Sequence, residues 1–358
     1  MRSRNGHNGD GRAGEGRATL ATIATSAGVS VATVSKVLNG RSDVSPATRA
    51  RVQELLRQHA YVARRNEPTA PGPTTVELFF QGVLNAYSIE VIQGVLDAGT
   101  AAGVTVVVSI RDRGTNGISS TSWARSLAGA GVSGAIAVTN TLTSEDLSAL
   151  ARARVPLVVI DPLDLPPLRA RHDHVTSVGS TNYAGGLTAA QHLLSLGHER
   201  IAYVGGNRTA GCNQARLHGF RGAMESAGLS VPPDYVTDGD FLYQDGFAGG
   251  CAVLDLPEPP TAVFAGSDEL ALGVIEAARA RGLRVPEDVS VVGFDDTQVA
   301  RLASPPLTTV RQPLREMGGV ALRSALRLAA RDPLDSHHVE LATELVVRRS
   351  TAPPARAA

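Results

Sequence analysis

Between Val76 and Gly293, seven short and largely apolar runs recur: VELFF (76–80), VTVVV (104–108), GAIAV (134–138), PLVVI (156–160), RIAYV (200–204), TAVFA (261–265) and VSVVG (289–293). Helical spacing fills most of the gaps, over Ile89–Ala102, Ala184–Leu196, Gly219–Ala227 and Glu269–Arg281. Strands that alternate with helices and read as continuous apolar runs belong to parallel sheets covered on both faces. Over roughly 270 residues, this pattern suits two successive Rossmann-like subdomains. A single (β/α)₈ barrel, typically of about 250 residues, is the rival architecture.

The texture changes upstream of these runs. Residues 1–17 are rich in Gly, Asn and Arg without an apolar period, and read as a disordered arm. From Ala18 to Tyr61 three helical stripes follow: Leu20, Ile23, Ala24 and Ala27; then, after Gly28, Val31, Val34, Val37 and Leu38; then Val52, Leu55, Leu56 and Tyr61. Three short helices with a Gly-containing turn between the first two make an all-α helix-turn-helix unit, assigned to residues 18–62. Residues 63–75 hold Pro68, Pro71 and Pro73 and read as a linker.

Charge follows the same division. Residues 1–66 carry 11 basic and 4 acidic side chains, so the zero net charge of the 358-residue chain hides a head of +7 and a body of −7. A cationic head on an acidic body fits a polyanion-binding module joined to a domain with another task. No apolar stretch approaches the roughly 20 residues of a bilayer-crossing helix. Residues 1–17 contain no apolar segment that could act as a signal peptide. With only Cys212 and Cys251, the expected setting is reduced and cytoplasmic, and not a membrane.

Within the head, Ser30 stands where its hydroxyl can accept the amide proton of Ala32 or Thr33 and start a helix at Val31. Val31, Ala32, Ser35 and Lys36 would then point outward and Val34, Val37 and Leu38 inward. Small apolar side chains can read a thymine methyl, and Lys36 can reach the guanine acceptors of the major groove. Thr19, Ser30, Thr33 and Asn39 are short polar groups suited to fixing register on phosphates.

The segment AxxAGVSxATVSxVLN followed by VSPATRARV resembles the headpiece of the lactose repressor (LacI) family of bacterial transcription regulators. The likeness continues through 181–206, 267–296 and 305–313. It implies a periplasmic-binding-protein-like effector-binding and dimerisation domain over 76–352. Its N-subdomain would span about 76–177 and 313–336, and its C-subdomain about 178–312 and 337–352. It further implies a homodimeric repressor, without cofactor, bound to a pseudo-palindromic double-stranded operator and switched by a small ligand, commonly a sugar, between the lobes.

Ligands of open α/β sheets bind beyond the carboxyl ends of strands, where Asp161, Ser267, Asp268, Asp295 and Asp296 follow apolar runs. By resemblance, Asp161, Arg216, Phe241, Ser267, Asp295 and Gln312 match effector-contacting positions, with Asn85 and Tyr87 after the first strand. Asp268 is read instead as the N-cap of the helix through Leu270, and Ser267 stands where relatives often have Asn. Relatives also carry a leucine wedge in a hinge helix. The corresponding stretch from Ala63 to Thr75 has no leucine, which leaves Arg64 and Arg65 as its candidate DNA contacts.

Catalysis has little support. No G-x-S-x-G, P-loop or G-x-G-x-x-G stands at a strand-to-helix junction. His172-x-His174 lacks the further ligands of a metal site, and His198 reads as a turn residue before the next strand. A solute-binding protein or a sugar-acting protein with an accessory head remains as the alternative.

Overall fold

The computed structural model of the chain describes residues 20–38, 44–58, 74–111, 119–139, 141–162 and 175–355. It divides into two compact units, residues 1–72 and 73–358. In the first, α1 (Leu20–Ala27), α2 (Val31–Leu38) and α3 (Pro46–Gln58) close over Ile23, Ala24, Ala27, Val34, Val37 and Val52. Gly28, at φ +66°, makes the turn between α1 and α2, a backbone region that glycine enters without strain. Ser45 accepts from the Thr48 amide ahead of α3, with Pro46 as its first residue, which is a favourable helix start.

The second unit holds two six-stranded sheets. The first contains β1 (Thr75–Phe80), β2 (Thr105–Ile110), β3 (Val132–Val138), β4 (Leu157–Ile160) and β5 (Thr176–Ser180), with α4 (Ala86–Ala102), α5 (Ser120–Gly129) and α6 (Ser144–Ala153) between them. The chain then crosses into α7 (Asn182–Ser195), β6 (Ile201–Val204), α8 (Gly211–Ser226), β7 (Val236–Thr237), α9 (Tyr243–Leu254) and β8 (Ala262–Ala265). It continues through α10 (Asp268–Ala280), β9 (Ser290–Asp295), α11 (Gln298–Leu302) and β10 (Thr308–Arg311), and returns by α12 (Leu314–Ala329), β11 (His338–Leu341) and β12 (Glu344–Val346). The sheet orders are β11-β5-β4-β3-β1-β2 and β12-β10-β9-β8-β6-β7. All pairings are parallel except that of β10 with β12.

Except for the edge strand β2, whose Val107, Val108 and Ile110 stay exposed, the apolar runs form strands covered on both faces. Val76, Leu78 and Phe80 face α4 and α12, whereas Phe79, Ala135 and Val159 face α5 and α6. In the second sheet, Val204, Val263 and Val291 pack under α9 and α10, and Tyr203, Phe264 and Phe294 under α7 and α8.

Two expected boundaries need correction. Strand β5 continues to Ser180 in the first sheet, past the expected end at 177, and β11 also pairs there although 337–352 was expected in the C-subdomain. The reason is hydrogen bonding: β11 supplies the outer ladder to β5, which otherwise has a partner only in β4. Only β12 from that segment joins the second sheet.

Helix pairs approach closely at glycines. A Cβ on Gly186 of α7 would lie 2.2 Å from the Arg216 carbonyl oxygen of α8, and one on Gly219 would lie 2.1 Å from the Tyr183 carbonyl. Gly94 and Gly318 do the same for α4 and α12, as do Gly246 and Gly273 for α9 and α10. The α7–α8 contact bears directly on the backbone that carries Arg216. Gly186→Ala must push the two helices apart, and is expected to cost about 1–3 kcal/mol, as overpacking does. Denaturant unfolding of the full chain checks this, and an unchanged midpoint for the second unit would contradict it.

Candidate functional site

In the head, α2 begins at Val31 because the Ser30 hydroxyl accepts the Thr33 amide at 3.1 Å and pairs with the Thr33 hydroxyl at 2.9 Å. The predicted division of faces holds for Val31, Ala32, Val34, Lys36 and Val37, but not fully for Ser35. Val34 and Val37 are buried, Val31 is 46% exposed, and Ala32 and Lys36 are exposed. Thr33 and Ser35 are half-buried. Thr19, Asn39, Arg64, Arg65, the arm 1–17, residues 63–73 of the linker and the pair His172 and His174 lie outside the described residues.

In the second unit, a cavity of about 440 Å³ opens between the carboxyl ends of the two sheets. The first lobe contributes Gln81, Asn85, Tyr87, Thr139 and Asp161; the second contributes Cys212, Arg216, Asp240, Phe241, Ser267, Glu269 and Asp295. Seven of the eight expected effector-site residues therefore meet in one wall. Gln312 does not line it. Its amide instead donates to Asp295 Oδ1 at 2.6 Å and accepts from the Ser180 hydroxyl, so it orients the carboxylate from behind.

Arg216 is the central cation, 3% exposed. Its Nε donates to Asn182 Oδ1 at 2.8 Å and its Nη1 to the Gly266 carbonyl at 2.6 Å, with Asp295 Oδ1 3.9 Å away. The guanidinium stacks 3.9 Å from the Phe294 ring centroid and lies 5.9 Å from that of Phe241. Burial works against its charge, but Cys212, Asp295 and Asp161 more than offset this and hold its pKa up.

Burial pushes the Asp161 carboxyl above the ordinary range, although Arg216, the Tyr87 hydroxyl and Asn182 oppose the shift. Tyr87 donates to Asp161 Oδ2 at 2.8 Å. Asp295 is raised further, by burial first and by Asp268 and Asp161 as like charges, against the pull of Arg216. Burial also pushes the Cys212 thiol up to about 11, so it sits in the wall as a neutral group.

Several sequence readings change here. Ser267, not Asp268, caps α10, accepting from the Leu270 amide. The Asp268 carboxylate instead accepts from the Thr297 amide and hydroxyl and from Thr309, tying the loop after β9 to α10. Asn85 caps α4 through Ser88, while its side chain still borders the cavity. Asp296 binds Arg311 and Arg348, away from the cavity. His198 is buried, and its ring contacts Thr261, Ser290 and the Ala352 carbonyl, so it fastens the C-terminal segment. Asn182 and Glu269 escaped the sequence reading. Glu269 accepts the Ala86 amide at 2.9 Å and so reaches the first turn of α4 from the opposite lobe. Their signal was position alone, just past a strand.

Comparisons bear on both units. Residues 19–63 match the profile described as bacterial regulatory proteins, lacI family, and residues 190–351 match a periplasmic binding protein-like domain. The HTH-type transcriptional regulator CelR of Thermobifida fusca is 35% identical over 341 residues, 93% of this chain and 98% of that protein. Catabolite control protein A of Priestia megaterium is 32% identical over 93% of this chain and 99% of its own length. Among solved structures, a CelR–cellobiose complex superposes with a TM-score of 0.69 at 34% identity, covering 93% of this chain and 100% of that one. A lac repressor dimer bound to operator and an anti-inducer superposes at 0.67 and 27% identity, over 94% and 99%.

Removing the Ser30 hydroxyl tests how the head is built. Ser30→Ala should cost about 1 kcal/mol of head stability, the usual worth of an N-cap. Hydrogen exchange of the α2 amides in the full chain should then quicken, and unchanged protection there would contradict the capping role.

Proposed function

Because the chain belongs to the lacI family of bacterial regulatory proteins, we propose that two copies grip double-stranded operator DNA and answer to a saccharide held between their lobes. The chain is a transcriptional regulator, not an enzyme, as its curated relatives are. The observation that carries the ligand reading is the constellation around Arg216. One guanidinium and two carboxylates from facing sheets offer paired hydrogen bonds to vicinal hydroxyls, and the Phe241 ring borders the same space. With carboxylates outnumbering this cation, the wall favours neutral polyols over anionic sugars. The cellobiose bound by CelR is a ligand of that class.

For DNA, Val31, Ala32 and Lys36 supply base contacts, and the flanking hydroxyls and basic groups supply phosphate contacts. The homodimer reading is supported at the edge of the first sheet, where Ile89 and Leu96 of α4 and Val107, Val108 and Ile110 of β2 are exposed apolar side chains. A second copy would cover them. Among the described residues no helix is long and apolar enough to cross a membrane. The leucine-free stretch 63–75 lies mostly outside the described residues; in our reading it leaves the operator less kinked and makes Arg64 and Arg65 its phosphate or minor-groove contacts.

Ligand binding should depend on pH. Hydroxyl donors favour ionised Asp161 and Asp295, whose carboxyls burial holds above the ordinary range. Saccharide affinity should therefore rise as pH climbs through the raised values, with protons released on binding. In the same window the unliganded fold loses stability, because the folded state keeps protons that the unfolded chain has released. After a thermal-shift screen of mono- and disaccharides, calorimetry in buffers of different ionisation enthalpy measures the release. Asp295→Asn should reduce it, and Arg216→Ala should weaken binding by about 1.5–3 kcal/mol. Binding that both variants leave intact would remove these residues from the site.

Operator binding should fall steeply with salt, as counterion release requires. Lys36→Ala should relax discrimination at one base pair by about 1–3 kcal/mol. Selection from a randomised duplex pool checks this, and an unchanged base preference after replacing Val31, Ala32 and Lys36 together would refute the reading of α2.

A further inference from the structure

Of the chain's 34 Lys and Arg residues, 33 are arginine; Lys36 is the single lysine. It lies in the last turn of α2 and is exposed. Ala32 stands one turn before it on the same exposed face, opposite buried Val34 and Val37. The one side-chain amine in 358 residues is thus placed on the surface read here as facing DNA.

The two cationic side chains differ in chemistry. A guanidinium stays protonated at any physiological pH and does not take up acyl groups, whereas a lysine amine has a neutral, nucleophilic fraction. Acyl chemistry therefore meets one side-chain amine on this protein. Lys36 is exposed, which puts its side chain within reach of a small acyl donor in solution.

We propose that Lys36 is a modification site at which an activated acyl donor, an acyl phosphate or acyl thioester, switches off DNA binding. The neutral Nζ attacks the carbonyl carbon of the donor and an N–C bond forms. The C–O bond to phosphate, or the C–S bond to the thiol, breaks, and its electron pair leaves with that group. The amine proton passes to solvent, and the product is a neutral amide. Acylation thus removes one positive charge and adds bulk on the reading face, once per subunit and without altering another side-chain amine. Because this rests on the DNA-reading role proposed for α2, its test must separate the two.

The full chain is first used to select a duplex from a randomised pool. It is then treated with acetyl phosphate or, in a parallel arm, with acetyl-coenzyme A, and peptide mapping locates the label. The expected result is acetylation of Lys36 in at least one arm, with affinity for the selected duplex falling about tenfold or more. The arm that labels identifies the donor. Lys36→Arg, compared only with its own untreated baseline, should lose nothing on treatment. Labelled protein that binds as tightly as untreated protein would overturn the proposal, as would failure of Lys36 to react in both arms. An equal loss in Lys36→Arg would place the effect elsewhere and overturn it too. An untreated chain that selects no duplex would overturn the DNA reading itself, and the inference with it.

Discussion

A single buried guanidinium, shared among more carboxylates than it can neutralise, is the constraint around which the second unit is arranged. Arg216 has traded water for Asn182, the Gly266 carbonyl and the face of Phe294, with Asp295 nearby. A buried charge without such partners would cost several kcal/mol, so each partner must be held in place by the fold. Two relays do so at the point where the chain crosses between sheets. Asn182 contacts both Arg216 and Asp161, while Gln312 links Asp295 to Ser180 at the end of β5. The carboxylates of the two lobes are thus coupled through the crossover itself. A ligand that replaces part of this balance acts on both lobes at once.

The backbone records the same demand. Thr139, Asp161, Phe241 and Asp295 all have positive φ, at 42°, 41°, 64° and 114°, and all four line the cavity. Non-glycine residues adopt such conformations at a cost of about 1–3 kcal/mol each, and keep them only where the surroundings over-determine them. Here the surroundings are visible: the Thr139 amide is bonded to the Ile160 carbonyl, the Asp161 amide to Val178, and the Asp295 side chain to Gln312. Opposite Phe241, Gly206 leaves the room a Cβ would take from the ring. Strain concentrated at strand ends that face one another is what a preorganised binding site requires.

Much of this was legible in the sequence, for a physical reason that also explains what was not. Six of the seven apolar runs form strands buried on both faces, which leaves no polar alternation to obscure them; the seventh, β2, is an apolar edge strand whose Val107, Val108 and Ile110 are exposed. Strands β5, β10, β11 and β12 are harder to see because they carry Thr, Ser, His and Glu, whose polar groups are satisfied by partners distant in sequence, such as the Arg348 amide for the Thr308 hydroxyl. Helix α12 is hidden by Gly318 and Gly319, which look like a break, although Gly318 permits the close approach of α4. Only the second half of α8 shows helical spacing, since its first half carries the polar Asn213, buried against Tyr203 and Gly206, and Arg216, which lines the cavity. The strand-end carboxylates were foreseeable from position. The roles of Asn182, Gln312 and Glu269 in supporting them depend on three-dimensional contacts that no local pattern encodes.

The central claim is that Arg216 in one lobe and Asp161 in the other act on a ligand as one unit. A double-mutant cycle with Arg216→Ala and Asp161→Asn, read by calorimetry with a saccharide that binds the unmodified chain, measures that coupling directly. The two substitutions together should cost less than the sum of the separate losses, by about 0.5–3 kcal/mol, as for residues in one network. Strict additivity would contradict it, and would make the two residues independent contacts that happen to share a cavity.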